Sequence, residues 1–212
     1  MASKRTTFAV LALIGGLLAG CSAAEPNVED QRSSFLGGAP APISEATIAP
    51  EAGTYDDVAV AEGYRVIAIR SVDDPTADVL VAAVEEWATE NGAEFEMRSG
   101  TDPDDVEAQL VAAAEERPDL IVGAGGGIVD VFALLTSQFL DQQFLVVGAK
   151  LAEPTENVTA VVWPGAGFRG TGITPEADAD PAAVTPDKAR EAVAAGYASI
   201  HLGVTGVVVS LP

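Results

Sequence analysis

The chain has 212 residues, with 11 lysines and arginines against 32 aspartates and glutamates, a formal charge of -21 and a pI near 4.1. That balance excludes a nucleic-acid partner, because phosphates are bound by Lys and Arg, and it disfavours direct contact with anionic lipid head groups. With 48% hydrophobic and 20% charged residues the composition predicts a packed core rather than a disordered acidic tail, and one cysteine allows neither an intramolecular disulfide nor a cysteine-rich metal site.

Lys4 and Arg5 precede an apolar run from Phe8 to Leu18, too short to span a bilayer, for which about 20 residues are needed. This is the pattern of a signal peptide, expected over residues 1–20. Leu18-Ala19-Gly20-Cys21 resembles the lipobox of bacterial lipoproteins, in which small residues admit the signal peptidase and the thiol receives a diacylglycerol. A diacylglyceryl thioether and an acylated new N-terminus supply more than one lipid chain, which stable anchoring requires. Cys21 is therefore the expected lipidation site, membrane lipid the first expected partner, and the extracytoplasmic face of the cell membrane the expected location. Residues 21–63 carry Pro26, Pro40, Pro42, Pro50 and Gly37-Gly38 without usable periodicity, and are expected to be a flexible tether. Within it "ISEATIAP" is the part that could lie on the domain surface.

After Gly63 the chain becomes regular. "YRVIAI" predicts a strand, followed by a helix with Asp74 as N-cap, Pro75 in the first turn, Leu80, Ala83, Val84 and Trp87 on one face, and Gly92 as terminator. "EFEMR" is a second strand, and "DPDDVEAQLVAAAEERP" a second helix capped by Asp102, with Val106, Leu110 and Ala113 inward. "DLIVG" is a third strand, "IVDVFALLTSQFLDQQ" a third helix with Val129, Phe132 and Phe139 inward, and "FLVVG" a fourth strand. Only Ala149 to Asn157 separates this from "VTAVV", so a plain loop must make that connection. A Gly/Pro/Asp-rich excursion, a helix over Thr185 to Leu202 and the strand "GVVVSL" complete the chain. Continuous apolar runs alternating with helices predict an α/β fold for residues 64–212: an open, mostly parallel six-stranded sheet with helices on both faces.

Ligands of such sheets bind beyond the carboxyl ends of the strands, against helix N-termini. The candidate loops are Ser71 to Thr76, Ser99 to Asp102, Gly123 to Gly127 and Ala149 to Glu153. In "GAGGG", Gly125, Gly126 and Gly127 are candidate ligand-binding positions, since glycine lets backbone N–H groups approach a ligand closely. The spacing is not a dinucleotide fingerprint: Ile128 or Asp130 stands where the third glycine belongs. Two readings stay open, a tight turn at a pocket edge or a phosphate cradle, and no Walker lysine follows. Trp163, just after the fifth strand, either stacks on a ligand ring or covers the sheet end.

No enzyme constellation is assembled. His201 is the sole histidine, placed at a helix end where a cation suits the dipole. No Gly-x-Ser-x-Gly elbow occurs, and the acid pairs read as caps and solvated faces. No cofactor and no metal site are expected, and the chain is not expected to be an enzyme.

The stretch "RPDLIVGAGGGIVDVFALLTSQFLDQQFLVVGAKLAEPTENVTAVVWPGAGFRGTG" resembles the basic membrane protein family of ABC-transporter substrate-binding lipoproteins. The matching residues are Asp119 to Gly127, Phe144 to Gly148, Asn157-Val158 and Phe168 to Gly170, and the resemblance covers about Tyr64 to Gly172. It implies one lobe of a type I periplasmic-binding-protein-like fold, a nucleoside-like small-molecule ligand and an ABC permease partner. It also implies that Asp73, Asp74 and Thr76 occupy the family's ligand loop, although no aromatic residue accompanies them there. One lobe buries too little of a small ligand unless a second chain, as in a homodimer, completes the site. The expected function is that of a membrane-anchored solute-binding lipoprotein. The alternative is an envelope lipoprotein with an interaction or structural role; an envelope enzyme ranks below both.

Overall fold

The uninterrupted apolar runs become the inner strands of one sheet. The computed structural model describes residues 27–151, 154–168 and 179–212; the expected signal peptide and the lipidation site Cys21 lie outside the described residues. In chain order the elements are α1 (Val28–Phe35), β1 (Thr47–Ile48), β2 (Arg65–Ser71), α2 (Ala77–Glu90), β3 (Glu94–Gly100), α3 (Pro103–Glu116), β4 (Leu120–Ala124) and α4 (Val129–Leu135). They continue through β5 (Phe144–Val147), β6 (Ala149–Lys150), β7 (Val158–Val162), β8 (Gly167–Phe168), α5 (Pro186–His201) and β9 (Val208–Ser210). Seven strands form a sheet of order β1-β9-β7-β5-β4-β2-β3, and β6 pairs with β8 beside it. Every pairing is parallel.

All residues of β4 and β5 are buried, because helices cover both faces and leave no solvated side to impose alternation. On one face Leu80, Val84 and Trp87 of α2 and Ala192 and Tyr197 of α5 pack on Ala68, Val122, Leu145 and Val161. On the other, Val106 and Leu110 of α3 and Phe132 of α4 pack on Ile67, Ile121 and Phe144, with Phe132 and Phe144 edge to face at 5.9 Å between ring centres. Each fully buried leucine or phenylalanine here contributes about 1.5–3 kcal/mol.

The caps follow the sequence where they are local. Asp102 accepts from Asp105 N at 2.9 Å with Pro103 behind it, and Thr185 Oγ1 accepts from Lys188 N at 3.3 Å. The first predicted helix starts later than its signals: the chain turns at Asp74, and regular helix begins at Ala77. Asp74 still caps a turn, its Oδ1 accepting from Thr76 N at 2.8 Å, but Pro75 lies ahead of the helix. The third helix stops at Leu135 instead of running through Gln143. Asn157, fixed in front of β7, donates through Nδ2 to the carbonyls of Thr136, Phe139 and Gln142 at 3.0 to 3.1 Å, giving that segment a set of partners that competes with helix. Among its described residues the connection from β5 to β7, expected as a plain loop, carries the short strand β6 and no helix.

The larger correction concerns the expected tether, whose residues from 27 onward are folded onto the domain. Asn27 caps α1, accepting from Glu29 N at 3.1 Å, and Phe35 is 1% exposed in the core. Arg32 Nε donates to Leu202 O at 2.6 Å, and β1, inside "ISEATIAP", adds a seventh strand beside β9. Tyr55 and Val58 are buried; Tyr55 Oη donates to Glu191 at 2.8 Å, and Tyr197 Oη donates to Ala59 O at 2.8 Å. Residues 27–63 thus strap α5 and close one sheet edge.

Burial pushes the Glu191 carboxyl up, but hydrogen bonds from Lys188 and Tyr55 outweigh it and hold the group below the usual carboxylate range. A depressed carboxyl stabilises the fold above its unfolded pKa, and that contribution disappears as pH falls through the lower folded value. Glu191→Gln is therefore expected to lower the thermal midpoint at pH ~7, with the difference from wild type shrinking by pH ~3. Thr159 Oγ1, buried in β7, has no hydrogen-bond partner among the described residues. Since an unpartnered buried hydroxyl costs about 1–3 kcal/mol, Thr159→Val is expected to stabilise by ~1 kcal/mol, measured as a rightward shift of the urea unfolding curve at constant slope.

Candidate functional site: a cleft at the strand-order reversal

β2 and β4 are neighbours, yet the chain leaves them in opposite directions. α2 carries it from β2 outward to β3 over one face, α3 returns it past β2 over the other, and β4 leads on toward β5. The loops beyond the carboxyl ends of β2 and β4 therefore diverge and leave a crevice between them, the ordinary ligand position of an open parallel sheet.

One carboxylate spans this crevice. Asp74 Oδ2 accepts from Gly127 N at 2.9 Å, while Oδ1 accepts from Thr76 N and, at 2.7 Å, Thr76 Oγ1. The glycines are there for this approach. Gly125 has φ +82, and a Cβ on it would run into the Asp74 carboxylate; a Cβ on Gly127 would sit 2.7 Å from Ser71 Cβ. A phosphate cradle is disfavoured, because the Gly127 N–H already holds an anionic side chain that would repel a phosphate. The glycines serve the tight turn.

A cavity of about 330 Å³ opens beyond this clasp. Ser71, Asp73, Asp74, Thr76, Gly126 and Gly127 line one side. Gly148 and Ala149, following β5, lie in its lining together with Gly165, Gly167, Asp180 and Val184. Asp73, Asp74, Thr76, Gly126 and Gly127, expected as ligand-binding positions, thus lie together in its lining. Gly125 stands behind the Asp74 clasp, outside the lining. Trp163 is also outside it: the ring is 6% exposed, its Nε1 donates to Ala183 O at 3.0 Å, and it packs behind Gly148. It covers the sheet end and presents no face for stacking. The Ser99 to Asp102 loop follows an edge strand and contributes no lining residue.

Sequence reasoning placed Ser71 in a candidate loop without singling it out, and missed the segment Gly165 to Gly167 and Asp180 to Val184. The available signal was position: Gly165 follows β7, the strand next to β5, so its loop must open on the same edge. Asp180 N donates to Gly165 O at 2.9 Å and its carboxylate accepts from Ala182 N at 2.9 Å, which fixes this wall. Ser71 is 8% exposed. His201 lies at the end of α5, 3.3 Å from Tyr197 Oη, away from the cavity. Among the described residues no three His, Cys, Asp or Glu side chains converge to hold a metal ion, and no helix is long and apolar enough to cross a membrane.

Fold and site together define an α/β lobe with a cleft of apolar walls and a few polar groups at the carboxyl edge of a doubly wound parallel sheet. No protein-family model matches the chain, and no curated protein matches it. Solved structures similar to it include ABC-transporter solute-binding proteins. One from Aeropyrum pernix K1 has 19% identity and a TM-score of 0.44 over 48% of this chain and 29% of its own. The 5-methylthioribose transporter solute-binding protein of Thermotoga lettingae TMO has 17% identity and a TM-score of 0.40 over 46% and 31%. The periplasmic ribose ABC transporter protein of Conexibacter woesei DSM 14684 has 12% identity and a TM-score of 0.37 over 73% and 55%. The chain therefore spans under two thirds of the length of each.

Asp74→Ala is expected to destabilise the protein by about 1.5–3 kcal/mol, the usual scale for losing hydrogen bonds to a charged group, and to speed amide exchange at Gly127 selectively. Urea unfolding with site-resolved exchange checks both; unchanged protection at Gly127 would show that the clasp does not hold the loop.

Proposed function

We propose that this chain is the ligand-capturing lobe of an extracytoplasmic solute-binding lipoprotein that delivers a small polar solute, such as a nucleoside, to an ABC permease. The observation that carries the reading is the cavity at the strand-order reversal. It has the size of a small-solute site, at the low end of the usual range of about 300–1,000 Å³, and it combines apolar walls with convergent carboxylates, a hydroxyl and glycine backbone. Asp74 and Asp180 cap turns and bridge loops, and among the described residues no histidine or cysteine lines the cavity beside them, an arrangement in keeping with binding.

In this reading Cys21 carries the lipid. Only five residues separate Cys21 from Asn27, the first described residue, so at most about 20 Å of extended chain joins the two. The cleft is open on the side away from the sheet, and a second chain, either another copy or the permease, completes the enclosure of the ligand.

Isothermal titration of the full chain in detergent with a nucleoside and sugar panel, run beside analytical ultracentrifugation, tests the proposal. Saturable binding at one site per chain is the expected result. Absence of binding by any member, with a stable monomer, would overturn the transport reading in favour of an interaction lipoprotein. Cys21→Ser is expected to abolish lipid labelling without moving the unfolding curve.

A further inference from the structure

We propose that this chain forms a two-fold dimer by antiparallel pairing of β3 with β3 of a second copy, so that one sheet runs through both. Among the described residues the sheet has two outer strands. β1 has two residues, too few to carry a ladder, whereas β3 has seven and only β2 beside it.

The direction of its backbone groups decides which residues of β3 can pair. Glu94 N donates to Tyr64 O, and Gly100 O accepts from Val72 N, so residues 94, 96, 98 and 100 turn their N–H and C=O groups toward β2. Phe95, Met97 and Ser99 alternate with them and turn theirs outward, where no other strand of the sheet meets them. Such a row of groups is a template for another strand. Met97, 44% exposed, is the one large exposed apolar side chain that lies within a strand among the described residues.

Charge then fixes the register. Outward-turned residues must meet outward-turned residues across an antiparallel pair, which leaves two-fold registers centred on Glu96, Met97 or Arg98. Centring on Glu96 sets that carboxylate against its own counterpart, and centring on Arg98 sets arginine against arginine; like charges directly opposite destabilise a pair. Centring on Met97 sets Glu96 opposite Arg98 of the second copy, and Arg98 opposite its Glu96, at the non-hydrogen-bonded positions where side chains come closest. Met97 meets Met97 on the axis and Phe95 meets Ser99, and each of these pairs exchanges two backbone hydrogen bonds. The interface is self-complementary, as two-fold symmetry requires.

The side chains that would meet are already held in place. Arg98 Nε donates to Glu96 at 2.7 Å and Nη2 to Glu116 at 2.6 Å, and a guanidinium has further donors for a carboxylate of the second copy. Arg65 pairs with Glu94 and Glu116, while Arg70 pairs with Asp78 and donates to Ser99 Oγ at 3.0 Å. Little side-chain freedom therefore remains to be lost on pairing. Charges on an outer strand ordinarily keep other strands away; here their sign changes across Met97, so the charges that reject a misaligned strand fit a second copy. The axis reverses the strands of that copy, so its cleft opens at the opposite end of the joined sheet and the dimer leaves both clefts uncovered. The pairing does not depend on whether the cleft holds a solute.

The test is analytical ultracentrifugation of the full chain in detergent at about 0.15 M salt, which screens the repulsion between two acidic chains. A concentration-dependent monomer–dimer equilibrium is expected. Glu96→Arg is expected to weaken the dimer at least about tenfold, because it opposes two arginines. Met97→Pro is expected to leave only monomer: proline is tolerated on an outer strand where its nitrogen faces away from the ladder, and there it blocks a further strand. Urea unfolding of both variants checks that the lobe is folded, and Glu96→Arg carries the test if Met97→Pro is not. In a Cys21→Ser background Met97→Cys is expected to form a disulfide-linked dimer with copper phenanthroline, since hydrogen-bonded pairs lie about 5.5 Å apart at Cα, within disulfide reach. Ser99→Cys, about 14 Å from its counterpart in this register, and Ile43→Cys, exposed elsewhere, are expected to stay unlinked. A chain that is monomeric up to about 100 µM, a dimer that neither Glu96→Arg nor a folded Met97→Pro weakens, or linking of Ser99→Cys as fast as Met97→Cys would overturn the proposal.

Discussion

The hydrogen bond from Gly127 N to Asp74 Oδ2 is the contact on which the arrangement of the cleft depends. A parallel sheet whose chain reverses direction between β2 and β4 leaves a gap where the two following loops part. Unbridged, that gap would have two independently moving walls. Asp74 bridges it and also fixes Thr76 at the start of α2, so one side chain sets the helix entry, the glycine turn and the width of the crevice. The cost is that a carboxylate occupies the helix N-terminus where an anionic ligand would otherwise bind. The geometry thereby biases the chemistry the cleft can accept.

The distribution of the few basic residues follows a similar division. Arg65 reaches Glu94 and Glu116, and Arg98 reaches Glu96 and Glu116. Two of these acids, Glu94 and Glu116, stand at the start of β3 and the end of α3, by the amino end of the sheet. Hydrogen bonding to Arg98 there outweighs the small effect of burial and holds the Glu116 carboxyl below its usual range. Arg190 ties α5 to Glu86 of α2 on the outer surface. These exposed pairs contribute little to stability individually, about 0–1 kcal/mol. Their consequence is electrostatic: the carboxyl end of the sheet keeps its acids without nearby compensation from these groups.

Much of the lobe was legible because its signals are local or periodic. "VIAI", "LIVG" and "FLVV" are strands buried on both faces, and Asp102 and Thr185 cap the helices they precede. The strap was not legible, since α1 anchors through a single core residue, Phe35, and β1 has two residues; neither length supports a period. What holds the strap is distant in sequence: Arg32 on Leu202, Tyr55 on Glu191 and Tyr197 on Ala59. The third helix was overextended for the same kind of reason, because the competing donor, Asn157, lies beyond the next strand. In the cleft the loops after β2 and β4 could be read as lying beyond the carboxyl ends of parallel strands, while Asp73, Asp74 and Thr76 within them came from the family resemblance. Trp163 could not be settled that way, since its burial depends on Ala183, twenty residues later.

The folded strap also changes what an attachment point near Cys21 implies. A forty-residue flexible tether would let the lobe sample a wide volume, with the cleft in any orientation. A strap that crosses α5 and pairs along β9 fixes Asn27 on the body of the lobe. Under the proposed attachment at Cys21, the few residues between it and Asn27 would restrict the lobe to a shallow layer beside the membrane surface. Within that layer the effective concentration of the lobe for a second membrane-bound chain is high, because a short linker confines both partners to a small shared volume. Enclosure of a ligand by an open cleft needs such a second surface. A short attachment supplies proximity without requiring the lobe to hold its partner tightly.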